Sequence, residues 1–237
     1  MKLQATAKTE KLPPLFCSIS ITTSMRKKEI YKRLVEYFQH TMPEANTELK
    51  YDNPFQLLCA VILSAQCTDK RVNMVTPTLF KAFPTAEAMA CSTKEEILEY
   101  VKSVSYPNSK AEHLVEMARQ LMQKHRGEVP GNFDELVALP GVGRKTANVM
   151  LSVAFNEARM AVDTHVFRVS HRIGLVSDKC TTPYAVEKEL VKNIPQELIP
   201  RAHHWLILHG RYVCKSQRPQ CEQCGLADFC SYNAKRK

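Results

Sequence analysis

Apolar residues along this chain recur with helical rather than strand spacing. Leu114, Met117, Ala118, Leu121 and Met122 fall at i, i+3, i+4, i+7 and i+8, the stripe of one buried helix face. Asn53-Pro54 sets a capping residue before a first-turn proline and opens an apolar helix from Phe55 to Ala65. Thr182-Pro183 repeats that device ahead of a helix through about Val191. Ser92-x-x-Glu95 and Ser109-x-x-Glu112 both carry capping-box spacing. Only seven glycines and few alternating segments leave little room for a sheet. The pattern predicts an all-α fold of roughly ten helices, without repeats or low-complexity tracts.

Of the nine cysteines, four crowd near the C-terminus: Cys214, Cys221, Cys224 and Cys230, spaced C-x6-C-x2-C-x5-C. Four thiolates on one short loop can wrap a compact metal centre. The single C-x2-C pair with wide, unequal flanking gaps favours a [4Fe–4S] cluster over a zinc ribbon, which usually brings two such pairs. Disulfides are a poorer reading, because nothing else points to an oxidising compartment. Cys17, Cys59, Cys91 and Cys180 show no ligand spacing, and Cys67 reads as a buried, inert thiol.

The 237 residues, 44% of them hydrophobic, allow one large domain or two small ones. A net charge of +9 is consistent with a polyanionic partner if the excess gathers on one face, although charge alone does not decide this. No apolar run is long enough to span a bilayer. Residues 1–24 make a poor signal peptide and are expected to be a disordered tail without function, with Met25 as a plausible alternative start.

Chemistry gathers in two segments. Leu139-Pro140-Gly141-Val142-Gly143-Arg144-Lys145-Thr146-Ala147 follows an apolar helix (133–138) and starts another (145–155). Proline stops the first helix, and Gly141 and Gly143 permit a tight hairpin with no Cβ between backbone and ligand. The second helix then offers free N–H groups and its positive dipole end to a phosphate, and Arg144 adds a cation there. Lys145 sits in that first turn, where the dipole and Arg144 disfavour protonation of its amine. It is either a nucleophile or a phosphate-binding lysine, and local chemistry does not choose between them. Further on, Asp163 precedes an apolar helix and caps it at Thr164 to Val166. A carboxylate so held stays ionised, as a stabiliser of a cationic sugar transition state must. His165 reads as a packing residue rather than a catalyst.

These residues resemble the endonuclease III family of DNA glycosylase/lyases, across about residues 27–233. The likeness rests on Leu63-Ser64-Ala65-Gln66, 139–149, 162–169, His203-His204-Trp205 through Arg211, and the cysteine quartet. It implies two helical domains facing a DNA-binding cleft: a six-helix barrel at 47–157, and a cluster domain uniting 25–46 with 158–237. It further implies that Lys145 is a Schiff-base nucleophile, Asp163 the catalytic carboxylate, and the four cysteines the ligands of a [4Fe–4S] cluster. Gln66 would fill the hole left by a flipped base, and Lys215 and Arg218 would contact phosphates. Asp69 would aid the site or serve as an ordinary N-cap. Where the family commonly inserts a Leu or Ile wedge, this chain has Ser105-Tyr106-Pro107, so Tyr106 would wedge or stack instead.

The expected function is removal of oxidised pyrimidines from damaged double-stranded DNA, with β-elimination 3′ to the abasic site, by a monomer in a bacterial cytoplasm. The alternatives are a monofunctional relative such as the adenine-mismatch glycosylase, which lacks a lysine at position 145, or a non-catalytic hairpin-motif DNA-binding protein. A cluster protein of electron transfer would leave the Lys145/Asp163 pair without a role.

Overall fold

The computed structural model describes residues 26–236, so the tail expected over 1–24 and Cys17 lie outside the described residues. Among these, every regular element is helical. The first six α-helices are α1 (Lys27–Thr41), α2 (Pro54–Ser64), α3 (Asp69–Ala82), α4 (Ala86–Ala90), α5 (Lys94–Val101) and α6 (Pro107–His125). Then come α7 (Phe133–Val137), α8 (Arg144–Ala154), α9 (Thr164–Ile173), α10 (Pro183–Asn193), α11 (Ile199–Tyr212) and α12 (Ser231–Ala234), with short 3₁₀ turns before α11 and between α11 and α12.

Local chemistry sets most helix starts. Asn53 accepts from Gln56 N ahead of Pro54, and Thr182 accepts from Ala185 N ahead of Pro183. Two predicted capping boxes fall elsewhere. The reciprocal box is formed by Thr93 and Glu96, one residue after the predicted pair, while the Ser92 hydroxyl turns inward to Met89 O. Ser109 lies inside α6, because Pro107 occupies the first helical turn and begins the helix earlier.

The helices bury two separate apolar cores. One draws on residues from Leu49 to Leu151 plus Ala161, with Leu57, Leu58, Leu63, Leu114 and Met150 fully buried. The other joins α1 (Leu34, Phe38) to Met160, Val166, Trp205, Leu206 and Leu226 from the C-terminal third. Trp205 stacks on Phe38 at 5.7 Å between ring centroids and donates from Nε1 to Met42 O at 2.7 Å. Burying two such rings together is worth several kcal/mol, roughly 3–5 for loss of a tryptophan. Gly210 lets α11 approach α9 closely: a Cβ there would stand 2.8 Å from His165 Cβ.

Candidate active site and cysteine loop

Lys145 and Asp163 border one open cavity of about 880 Å³, which also reaches Gln66, His203, His204 and Arg211. Each arrives from a helix N-terminus. Gly143 is the N-cap of α8 with no side chain to bond the first-turn N–H groups, nothing acidic follows, and no atom lies within 4 Å of where its Cβ would stand. The first turn of α8 therefore faces open space, and Lys145 is exposed in it. Gly141 adopts φ +76°, and a Cβ there would lie 2.9 Å from His113 Cβ, so the hairpin requires glycine at this point.

Asp163 is the N-cap of α9, and its Oδ1 accepts from Val166 N at 2.8 Å. Its other carboxylate oxygen takes no part in that bond. His165 lies on the same cavity, and its Nδ1 is 3.2 Å from Arg168 Nη2. His203 and His204 are buried behind the cavity with rings 4.9 Å apart. Burial holds both below the usual imidazole range, His204 down to about 4, and Lys145 and Arg211 add to this at His203. Asp69 is not an N-cap: Thr68 caps α3, and Asp69 Oδ2 instead binds Arg211 Nη1 at 2.6 Å.

Arg144, expected to add a cation beside the hairpin, gives two hydrogen bonds to Glu187, from Nε at 3.0 Å and Nη2 at 2.6 Å. Its guanidinium also lies over the rings of Tyr184 and Phe133. Sequence reasoning missed this because Glu187 is 43 positions away.

Gln66 and Tyr106 are both exposed and both left-handed, with φ of +52° and +54°. Their loops touch: Ser105 Oγ donates to Gln66 O at 2.7 Å. Lys110 Nζ, buried, donates to Leu63 O and Ala65 O at 2.8 and 2.6 Å, closing the C-terminus of α2. Cys67, expected to be buried, is only partly so, because it follows Gln66 on the rim of the cavity.

The four cysteines Cys214, Cys221, Cys224 and Cys230 line a second, apolar pocket together with Ile173, His209 and Leu226. Among the described residues no three Cys, His, Asp or Glu side chains form a set suited to a single metal ion. Four sulfur donors around one apolar pocket are the ligand set that an iron–sulfur cluster requires. Burial, with the three neighbouring sulfurs adding to it, pushes the Cys224 thiol up to about 11, so a metal centre is what would hold it as thiolate. Arg236 donates to Cys221 Sγ at 3.2 Å and Arg172 to Cys214 Sγ at 3.6 Å, the guanidinium bonds an anionic sulfur cage calls for. The donor set fits an iron–sulfur cluster.

Two further arginines escaped the sequence reading. Arg168 donates to Gly210 O and Cys214 O, and Arg172 to Lys215 O and Ser216 O, at 2.6–3.2 Å. Their i, i+4 spacing on α9 was the available signal. They pin the loop that exposes Lys215 and Arg218, the latter at φ +50°. One helix thus caps on Asp163 at its start and holds the cysteine loop farther along.

Comparison with known proteins places this arrangement. The profile described as "HhH-GPD superfamily base excision DNA repair protein" matches residues 59–196, and "Iron-sulfur binding domain of endonuclease III" matches 214–230. Endonuclease III of Rickettsia felis is 45% identical over 204 residues, covering 86% of this chain and 95% of that protein. Endonuclease III of Escherichia coli is 44% identical, covering 89% and 97%. Among solved structures, a trapped endonuclease III–DNA covalent intermediate in an estranged-adenine complex superposes with a TM-score of 0.84 at 43% identity, over 90% of this chain and 99% of that one. A thermostable thymine-DNA glycosylase follows at 0.77 and 26%, over 88% and 97%. With its all-helical fold, hairpin motif and cysteine loop in this order, the chain belongs to the endonuclease III family, the [4Fe–4S] DNA glycosylase/AP lyases of base-excision repair.

Proposed function

We propose that this enzyme removes oxidised pyrimidines from damaged duplex DNA and cuts the strand 3′ to the resulting abasic site through a Schiff base on Lys145. The observation that carries the reading is the shared cavity: Lys145 and Asp163 meet there from the starts of two helices that belong to different cores. This also supports the division into a barrel domain over 47–157 and a cluster domain of 25–46 with 158–237, the cleft lying between. Both residues come from one chain, so the chemistry asks for no second copy, and the reading is of a monomer working on the bacterial chromosome.

In this mechanism the damaged nucleotide leaves the stack, at a cost of a few kcal/mol that damage lowers. The Lys145 amine forms a bond to C1′ as the C1′–base bond breaks, and the departing base takes up a proton. Asp163 accepts the amine proton and stabilises positive charge on the sugar. The C1′–O4′ bond then opens, O4′ taking up a proton, and the nitrogen lone pair completes the iminium, which acidifies C2′–H. Loss of that proton forms the C2′–C3′ double bond and expels the 3′ phosphate, and water then releases Lys145. Gln66 offers donors and acceptors to the widowed base, and Tyr106 supplies an aromatic wedge. The N–H groups after Gly141 and Gly143 take a phosphate, and Lys215 and Arg218 take others. The cluster supplies no step here; it holds the loop of those two cations.

Borohydride trapping on an abasic duplex tests the reading. Wild type should form a covalent adduct that disappears in Lys145→Ala. Absence of an adduct with cluster-loaded wild type would exclude the lyase and leave a monofunctional or purely binding protein.

A further inference from the structure

Every backbone carbonyl at the end of α2 has a partner. Ile62 O accepts from Ala65 N and Ser64 O from Cys67 N, while Leu63 O and Ala65 O go to Lys110 Nζ. Gln66 O, the last of the series, accepts from the Ser105 hydroxyl at 2.7 Å, 39 residues away in sequence. The donors to three of these five carbonyls stand at the start of α6 or just before it, on either side of Tyr106. Gln66 and Tyr106 also share the left-handed conformation that non-glycine residues seldom adopt, and it persists only where the surroundings fix it. Tyr106 caps α6 without any side-chain bond of its own. The Ser105 hydroxyl is therefore the direct bond between the residue before the aromatic side chain and the residue bearing the amide.

We propose that Ser105 is a positioning residue that makes Gln66 and Tyr106 a single preorganised insertion unit, and thereby sets how sharply the enzyme distinguishes the base opposite the lesion. The inference rests on the reading of Gln66 and Tyr106 given above. A wedge and a gap-filling amide that enter a duplex separately each lose conformational freedom on binding. Tied through Gln66 O, they lose most of it on folding, so less is lost in the complex. Discrimination depends on where the amide donors and acceptors stand, so it is sensitive to a register shift of Gln66 that leaves Lys145 untouched. Lys110 anchors the base of the unit but lies behind it; among the described residues it is Ser105 that donates to Gln66 O.

The test compares wild type with Ser105→Ala and Ser105→Gly, which lack the hydroxyl, and Ser105→Thr, which keeps it. Single-turnover excision of an oxidised pyrimidine is measured against each of the four opposing bases, and 2-aminopurine placed opposite the lesion reports insertion. The spread of rates across opposing bases should narrow about fivefold in the Ala and Gly variants, the effect of one hydrogen bond, and the 2-aminopurine signal should weaken. Ser105→Thr should restore both. An unaltered spread and signal in Ala and Gly would overturn the proposal, as would an equal loss against all four bases, which marks a merely structural role. Failure of the wild type to form a borohydride adduct is a separate result, striking the underlying function rather than the coupling.

Discussion

Arg211 Nη1 lies 2.6 Å from Asp69 Oδ2, joining α11 of one core to α3 of the other across 142 residues. The same guanidinium reaches Glu48, which also accepts from the Tyr212 hydroxyl. Arg211 is therefore a clasp at the edge of the cavity that Lys145 and Asp163 border.

Removing that clasp leaves two carboxylates facing each other with no cation. Arg211→Ala should lower stability by about 1–3 kcal/mol, since Asp69 is largely buried and would be left without its charged partner. Arg211→Lys should recover only part of it, because an ammonium is more strongly hydrated than a guanidinium and costs more to hold between two acids. Thermal unfolding of the three proteins checks this, and equal midpoints would remove the clasp from the stability account.

Asp163 carries two roles that one substitution can separate. Asparagine caps helices as well as aspartate does, so Asp163→Asn should keep the Val166 bond and near wild-type stability. The charge is removed, and base excision should fall about 100-fold or more while duplex binding holds. Asp163→Ala should in addition cost about 1 kcal/mol for the missing cap. Undiminished turnover in Asp163→Asn would refute the electrostatic role.

Lys215 and Arg218 sit in a loop held by Arg172 from behind, which leaves their own side chains exposed. Replacing both by glutamine should flatten the dependence of log K on log salt by about 0.9 for each DNA phosphate that is no longer neutralised. A slope identical to wild type would take both off the DNA.

The pair His203 and His204 ties stability to pH. The folded state keeps His204 neutral down to about 4, whereas an unfolded imidazole protonates near 6.5. Its contribution is therefore complete above about pH 6.5 and is lost as the pH falls towards 4. His203 acts in the same direction. Denaturant midpoints should drop through that window, and His204→Gln should drop less steeply; parallel curves would show that carboxylates alone carry the effect.

Helix caps are readable from sequence because Asn53, Thr182 and Asp163 act within three residues of themselves. The cysteine loop is equally readable, its spacing being local. Ser109 misleads because proline two residues earlier already fixes the helix start, a competition that spacing alone does not rank. Pairings across long separations are not legible: Glu187 for Arg144, Arg211 for Asp69, and Ser105 for Gln66 have no pattern in sequence to announce them. The first two depend on how the two cores meet, and the third on how α2 packs beside α6 within one core. Ser105 in particular reads as filler beside Tyr106, and only the fold gives its hydroxyl a partner.

The second core is closed by the two ends of the described chain, α1 supplying Leu34 and Phe38 and the far end supplying Trp205 and Leu226. During synthesis the apolar core of the barrel helices has all its residues once residue 161 has emerged, whereas Phe38 stays uncovered until Trp205 follows. Gly225, whose Cβ would collide with Tyr37 at 2.2 Å, fits against α1 later still. The order of synthesis thus completes the middle of the chain first, and α1 finds its cover only with the last-made residues of its core.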